Sequence, residues 1–150
     1  MIKILFVCHG NICRSPMAEF MMKKMLKDKG IYNQFEIASA ATSNEEIGNP
    51  VYPPARQKLA QYGIRCDGKQ ARRVTKSEYD QWDYIICMDQ YNVRNLMRIL
   101  GSDPKEKVSK LMSWTGNGRD VADPWYTGDF QTTYDDIKEG LEAFLKQLHY

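Results

Sequence analysis

Short apolar segments alternate with segments of helical periodicity along almost the whole chain, and this alternation restricts the fold more than any other feature. Four apolar runs suit strands that are buried on both faces, at residues 2–7, 35–40, 84–88 and 108–112. Apolar side chains at helical spacing follow each run, at residues 16–29, 54–62, 89–100 and 131–148. This order predicts an α/β fold of three αβα layers, in which a four-stranded parallel sheet carries helices on both faces.

The chain shows no internal repeat, low-complexity tract or flexible linker, so we expect its 150 residues to form a single domain, residues 1–150. Lysine and arginine total 21 against 19 aspartate and glutamate residues, which leaves a formal net charge of +2. A charge this balanced indicates neither a nucleic-acid nor a membrane partner. No segment has the pattern of a targeting signal or a membrane span, and we therefore expect a cytoplasmic protein.

The cysteines are better candidates for reactivity than for structure. Disulfides are rare in the cytosol, so we expect reduced thiols at all four positions, Cys8, Cys13, Cys66 and Cys87. A zinc site is a weaker interpretation, because the chain has no Cys-x-x-Cys pair and its two histidines, His9 and His149, lie near opposite ends. We therefore expect neither a metal nor another cofactor.

The segment after the first predicted strand, residues 8–15, reads Cys-His-Gly-Asn-Ile-Cys-Arg-Ser. It leads into a helix that we expect Ser15 to cap and Pro16 to begin, at the sheet edge where ligands bind in such folds. Backbone N–H groups of a tight loop entering a helix bind anions, and Arg14 can hold two phosphate oxygens at once. The same positive groups favour the thiolate of Cys8. The segment therefore predicts a phosphate site above an activated sulfur, with a buried, unreactive cysteine as the alternative.

Phosphoryl transfer to sulfur also needs an acid for the leaving oxygen, and the segment after the fourth strand offers Asp123. Pro124 is expected to hold Asp123 extended and supplies no N–H that would compete for its carboxylate. Trp125 and Tyr126 are expected to wall an aromatic slot around the acid. Asp-Pro is also common in surface turns. Together with the cysteine loop, however, it favours a catalytic acid.

Residues 8–15, together with Asp123-Pro124 and the two aromatic residues that follow, resemble the low-molecular-weight protein tyrosine phosphatases. The resemblance covers nearly the whole chain and implies a single phosphatase domain of that family. It implies hydrolysis of phosphotyrosine and of small aryl phosphate monoesters through a phosphocysteine intermediate. Cys8 would be the nucleophile, Arg14 would hold the phosphate, and Asp123 would be the general acid and then the base for water.

The same resemblance assigns roles to the rest of the loop and to its rim. Ser15 would stabilise the Cys8 thiolate, and Asn11 would hold the shape of the loop, with Ser39 nearby. Cys13 would be a redox residue that captures oxidised Cys8 as a disulfide. The expected substrate-binding residues are the remaining loop positions and the aromatic pair: His9, Gly10, Asn11, Ile12, Cys13, Ser15, Trp125 and Tyr126.

The resemblance also implies the reaction partners. Phosphotyrosyl proteins or small aryl phosphates would be the substrates and inorganic phosphate a product, no cofactor would be needed, and the enzyme would be a monomer. Relatives that are specific for phosphoarginine have threonine where Ile12 stands. The bulkier Ile12 therefore favours phosphotyrosine over phosphoarginine.

Two positions depart from the family pattern. Many members carry a histidine that braces the loop where this chain has Lys69. Many animal members carry an aromatic residue on the rim where this chain has Glu45. Glu45 would put a negative charge where substrate side chains approach, which leaves the preference among phosphotyrosyl partners open.

A thioredoxin-coupled arsenate reductase is the nearest alternative, because that class has a similar loop and fold. Arsenate reduction needs further cysteines that pass the disulfide outward. Here Cys87 has Arg94 rather than a cysteine seven residues later, and Cys66 is remote in sequence. The sequence therefore disfavours this class, and an assay with arsenate and thioredoxin would distinguish it.

A non-catalytic phosphate-binding module is an alternative of a different kind. It would need the anion-binding loop and Arg14, but neither a nucleophile at Cys8 nor an acid at Asp123. Both are present, so the sequence favours an enzyme. Turnover of p-nitrophenyl phosphate would separate the two classes.

Overall fold

The computed structural model describes residues 1–150 and shows a four-stranded parallel sheet in the order β2-β1-β3-β4. The strands are β1 (Ile2–Cys8), β2 (Phe35–Ala41), β3 (Tyr84–Cys87) and β4 (Val108–Lys110). β1 pairs with β2 along its whole length, so that Cys8 lies opposite Ala41 at the carboxyl end. On its other side β1 pairs with β3. The predicted four-stranded parallel sheet is therefore confirmed, and Cys8 ends its central strand β1.

Five α-helices connect or follow the strands: α1 (Arg14–Asp28), α2 (Pro53–Gln61), α3 (Gln90–Leu100), α4 (Pro124–Thr127) and α5 (Phe130–Gln147). Short 3-10 helices lie at Tyr32–Gln34, Lys76–Gln81 and Leu111–Thr115. None of these helices combines the length and the hydropathy that a bilayer span requires.

Side chains of β1 alternate between two cores, which places helices on both faces of the sheet as predicted. Ile4 and Phe6 pack in a large core with the apolar faces of α1, α2 and α5. Leu5 and Val7 point to the opposite face and pack with residues of α3. All four side chains are fully buried. The central strand is thus fixed from both sides, and the loop that follows it starts from a rigid base.

The predicted fourth strand is too long, because the extended chain ends at Lys110 and not at residue 112. At Leu111 the backbone turns into a 3-10 helix that buries Leu111 and Met112 against α5. Gly140 of α5 makes this close approach possible, since a Cβ there would lie 2.5 Å from Cγ of Leu111. Packing of the 3-10 helix against α5 therefore replaces the last residues of the expected edge strand.

Candidate active site

A pocket opens at the carboxyl edge of the sheet, where the loop after β1 meets the segments that follow β2 and β4. Its lining contains most of the residues that the sequence singled out: Cys8, His9, Gly10, Ile12, Cys13, Arg14, Glu45, Glu46, Asp123, Trp125 and Tyr126. Glu46 is the one lining residue that sequence reasoning did not name. The other predicted positions, Asn11 and Ser15, lie fully buried behind the pocket wall.

The loop curls around the sulfur of Cys8. The backbone N–H groups of Asn11 and Ser15 point at Cys8 Sγ over 3.3 and 3.4 Å, and Ser15 Oγ lies 3.0 Å from it. Asn11 has a left-handed backbone with a φ of 59°, a conformation that asparagine tolerates better than most residues. Three donors can therefore stabilise negative charge on one sulfur.

Ser15 does not cap α1, which corrects the sequence prediction. The helix begins at Arg14, two residues before the predicted start at Pro16, and the preceding Cys13 makes no capping side-chain bond. The Ser15 hydroxyl is instead engaged by Cys8 Sγ and by the side-chain amide of Asn11, which donates to it over 2.8 Å. Because Ser15 Oγ accepts from Asn11, its own hydrogen is free to point at the sulfur.

Asn11 connects the loop to the neighbouring strand. Its Nδ2 also donates to Ser39 Oγ over 2.9 Å, and its Oδ1 accepts the backbone N–H of Arg72 over 3.2 Å. Ser39 Oγ in turn donates to a carboxylate oxygen of Glu19 over 2.5 Å. The Asn11 amide thus donates in two directions, to Ser15 beside the sulfur and to Ser39, which passes the network on to the Glu19 carboxylate in α1.

Lys69 occupies the position where the family pattern has a histidine, and it braces this network from the other side. Its Nζ donates to the Ser39 carbonyl over 2.9 Å and lies 3.5 Å from Glu19 Oε1. Burial lowers the pKa of Lys69, although the negative charge of Glu19 opposes that effect. Sequence reasoning missed Glu19, since a glutamate inside an apolar helical face gives no sign of its partner.

Arg14 is buried and already oriented by three acceptors. Its Nη1 donates to Asp89 Oδ2 over 2.7 Å and to the Val121 carbonyl over 2.8 Å, while Nη2 lies 3.4 Å from Asp123 Oδ2. Burial alone would lower the pKa of Arg14, but the charges of Cys8, Asp89 and Asp123 together raise it. The guanidinium is therefore a fixed positive charge beside the sulfur. Asp89 accepts the shortest of these bonds and is therefore the main support of this arginine.

Asp123 lies across the pocket from the loop. Its backbone is extended, with φ −77° and ψ 113°, as the following proline predicts. Pro124 supplies no N–H to the carboxylate, but the N–H of Trp125, one residue further on, donates to Oδ1 over 3.0 Å. The carboxylate therefore caps α4 with one oxygen and turns the other toward Arg14.

The aromatic pair forms an open rim rather than a closed slot. Trp125 is 51% exposed and packs on Tyr52 with ring centroids 4.8 Å apart, whereas Tyr126 is 84% exposed. Both rings line the pocket mouth. An incoming aromatic ring would therefore find one anchored indole and one free phenol beside the acid.

The remaining cysteines differ from Cys8 in their surroundings. Cys13 is buried, and burial first and the negative charge of Cys8 second raise its pKa far above the ordinary thiol range. Cys66 and Cys87 are buried too, and burial raises the pKa of both. None of the four takes part in a disulfide, and no three acidic, cysteine or histidine side chains are arranged to hold a metal ion.

The comparisons with known proteins agree with this geometry. The sequence model described as low molecular weight phosphotyrosine protein phosphatase matches residues 3–150. Low molecular weight protein-tyrosine-phosphatase YfkJ of Bacillus subtilis is 37% identical over 150 residues, which cover 99% of this chain and 96% of that protein. The Gallus gallus low molecular weight phosphotyrosine protein phosphatase is 39% identical, covering 97% and 95%. The crystal structure of YfkJ superposes with a TM-score of 0.95 at 37% identity, over 99% of this chain and 95% of that one.

Proposed function

Because this chain belongs to the low-molecular-weight phosphotyrosine protein phosphatase family and is a protein tyrosine phosphatase, we propose that it hydrolyses phosphotyrosine and small aryl phosphates through a phosphocysteine on Cys8. The observation that carries the proposal is the setting of Cys8 Sγ, which two backbone N–H groups and the Ser15 hydroxyl surround at 3.0–3.4 Å. Hydrogen bonds to a thiolate favour its charged, nucleophilic form. A buried thiol that only packs at the end of a strand does not require three hydrogen-bond donors around its sulfur.

Phosphate binding is the first step. The two Arg14 bonds to Asp89 and Val121 both use Nη1, while Nη2 has only the longer contact with Asp123. Nη2 is therefore available to a phosphate oxygen, while Nη1 keeps the guanidinium in place. The N–H groups at the start of α1 add a second source of positive potential.

Phosphoryl transfer to sulfur follows. The Cys8 thiolate attacks phosphorus, the S–P bond forms and the P–O bond to the aryl group breaks. Asp123 gives its proton to the departing phenolate oxygen. The Ser15 hydroxyl stabilises the sulfur both as nucleophile and later as leaving group.

Hydrolysis of the phosphocysteine completes the cycle. Asp123, now a carboxylate, takes a proton from water as the water oxygen attacks phosphorus. The S–P bond breaks, inorganic phosphate leaves and the Cys8 thiolate returns. No cofactor is required in either step.

Rapid-quench mass spectrometry tests the proposal. The protein is mixed with a phosphotyrosyl peptide, denatured within the first turnover and digested, and the fragment that contains Cys8 is examined. We expect one phosphoryl group on Cys8 and none in the Cys8→Ser protein. Turnover with the phosphoryl group on another residue would refute the phosphocysteine at Cys8.

Arsenate reduction remains the main alternative reaction, and the cysteine positions argue against it. Passing a disulfide outward needs a thiol that can reach the surface. Cys66 and Cys87 are 6% and 0% exposed, and neither lines the pocket. A phosphatase needs only Cys8 for its chemistry.

The cellular setting also belongs to the proposal. We propose that the enzyme acts as a monomer in the cytoplasm, because its composition and balanced charge indicate neither a membrane nor a nucleic-acid partner. Sedimentation at micromolar concentration tests whether the enzyme is a monomer. Fractionation of the native cells tests whether it is cytoplasmic.

A further inference from the structure

The charge around the pocket mouth is the least explained feature of the site. Two glutamates, Glu45 and Glu46, line the mouth beside the loop. Among all side chains that line the pocket, only Arg14 and His9 can carry a positive charge. Arg14 is buried and faces the phosphate site, so it does not reach the rim. A bound phosphate dianion would offset its charge.

Contacts with His9, Gly10 and Asn49 hold the two glutamates in place. Glu45 Oε2 accepts a hydrogen bond from His9 Nε2 over 3.0 Å, and its side chain is 69% exposed. Glu46 Oε2 accepts one from Asn49 Nδ2 over 2.6 Å. A Cβ on Gly10 would lie 3.4 Å from Glu46 Cγ, which shows how closely Glu46 packs on the loop. The negative charge of Glu46 contributes to the raised pKa of Cys13, so it is felt inside the pocket.

The opposite part of the mouth contains Trp125 and Tyr126, which contribute no charge there. A phosphotyrosyl side chain that reaches Cys8 would leave the peptide backbone at this mouth, between the aromatic pair and the two glutamates. The neighbouring residues of the peptide would then lie within a few ångströms of two carboxylates. At such distances opposite charges attract and like charges repel by amounts that change rates several-fold.

Resting on the proposed function, we propose that Glu45 and Glu46 select phosphotyrosyl substrates with lysine or arginine beside the phosphotyrosine and disfavour substrates with acidic neighbours. The glutamates act on binding and orientation of the peptide and take no part in the chemical steps. Small aryl phosphates have no flanking residues, so they are not subject to this selection.

A pair of phosphotyrosyl hexapeptides that differ only by lysine or glutamate on both sides of the phosphotyrosine provides the test. We expect kcat/KM of the intact enzyme to favour the basic peptide by about 10-fold at low ionic strength. The preference should fall below about twofold in 1 M salt, where the Debye length is about 3 Å. Each value is divided by kcat/KM for p-nitrophenyl phosphate on the same protein, which corrects for any general loss of activity.

Variants identify the source of the preference. The double variant Glu45→Gln/Glu46→Gln should reduce the ratio between the two peptides to near one, and Glu45→Lys should move it toward the acidic peptide. The matched control is Glu36→Gln, because Glu36 is exposed and lies near the amino end of β2, at the edge of the sheet away from the pocket. That variant should keep the ratio of the unaltered protein.

Two outcomes overturn the inference. Equal kcat/KM for both peptides would show that the pocket mouth does not discriminate between charged neighbours. A preference for the basic peptide that persists in the double glutamine variant would show that other residues cause it. Failure of the proposed function is distinguishable, because neither peptide nor p-nitrophenyl phosphate would then be hydrolysed.

Discussion

The hydroxyl oxygen of Ser15 lies 3.0 Å from the sulfur of Cys8, although the two residues are separated by a full loop of the backbone. The side chain of Asn11 fixes that hydroxyl from behind. A neutral donor held in this way can stabilise the sulfur without contributing charge to the pocket.

Cys8→Ser should lower turnover by on the order of 10⁴-fold or more, because a serine hydroxyl in this loop is a far weaker nucleophile than a thiolate. Binding of phosphate or vanadate should persist, since Arg14 and the loop N–H groups remain. Steady-state kinetics and calorimetric titration with vanadate measure the two effects. Residual turnover within tenfold of the unaltered enzyme would exclude sulfur as the nucleophile.

Asp123→Asn should slow phosphorylation of Cys8 by phosphotyrosine on the order of 10²–10⁴-fold, the usual cost of losing a general acid. The loss should be smaller with p-nitrophenyl phosphate, because nitrophenolate leaves more readily without a proton. The measurement is kcat/KM or a single-turnover rate, since breakdown of the phosphocysteine is common to both substrates. An equal loss with both substrates would mean that Asp123 has a structural role. Asp89 and then Asp120 would be the next candidates for the general acid.

Peroxide should inactivate the enzyme by oxidising Cys8, and Cys13 should make that inactivation reversible. Peroxide oxidises the Cys8 thiolate to a sulfenic acid, and the Cys13 thiol then displaces water to form a disulfide. Because burial raises the pKa of Cys13, its thiol is protonated at neutral pH and Cys8 is oxidised first. Activity after dithiothreitol should recover well in the unaltered enzyme and poorly in Cys13→Ser.

The matched control for this prediction is Cys66→Ser, which removes a buried thiol that does not line the pocket. It should recover as well as the unaltered enzyme. Phosphate should slow inactivation in all three proteins, because it occupies the site above Cys8. Full recovery of Cys13→Ser would reduce Cys13 to a packing role.

Lys69→Met should lower kcat/KM by about 10- to 100-fold, because it removes the donor to the Ser39 carbonyl and leaves Glu19 less well balanced by positive charge. Lys69 acts here as a positioning residue, through Ser39, Asn11 and Ser15. The loss of kcat/KM should persist at temperatures where the variant is fully folded, an effect that simple loss of stability would not produce. Lys69→His, which keeps a donor, should restore most of the activity.

Glu78→Gln should lower the free energy of unfolding by about 1–3 kcal/mol at neutral pH. Glu78 is buried and accepts bonds from the Arg72 guanidinium over 2.9 and 3.1 Å and from the Thr75 N–H over 2.7 Å. Burial alone would raise the pKa of Glu78, but these bonds lower it below the ordinary 4.5. Arg72 is partly exposed, so solvent screening limits its share.

The pH dependence of unfolding gives a second measure of Glu78. A carboxyl whose pKa is lower in the folded than in the unfolded state stabilises the fold above the unfolded value, and that contribution disappears as the pH falls through the folded value. Denaturation between pH 7 and pH 2 should therefore show a smaller loss of stability in Glu78→Gln than in the unaltered protein. Glu142→Gln, an exposed change on α5, should behave like the unaltered protein.

The sequence was sufficient for the two inner strands, β1 and β3, because they are buried on both faces over most of their length, and such burial leaves a run of apolar residues. The sequence also predicted the loop after β1. Its signal is compact, because a strand, Gly10, Arg14 and the start of a helix follow one another within a few positions. The partners Asp89 and Glu19 were not predicted. Asp89 approaches Arg14 across 75 positions of sequence, and local pattern holds no information on such a contact.

The Ser15 error has a similar physical cause. Serine before proline is typical of a helix cap, and that local preference is worth only about 1 kcal/mol. In the folded protein the Ser15 hydroxyl bonds to the sulfur of Cys8 and to the amide of Asn11, and it does not cap the helix. Likewise the fourth strand ends early, where Leu111 and Met112 turn into a 3-10 helix that packs against α5.

The contact between Arg14 and Asp123, which spans 109 positions of sequence, also constrains how the protein reaches its working form. Cys8 ends the first strand and Asp123 lies in a segment beyond the last one, so the candidate site has a high contact order. Such contacts form late, after the loop entropy of the intervening chain has been overcome. Catalytic activity should therefore be among the last properties recovered during refolding, after helical circular dichroism has returned, and we expect a newly synthesised chain to reach full activity only after residue 123 has joined the sheet edge.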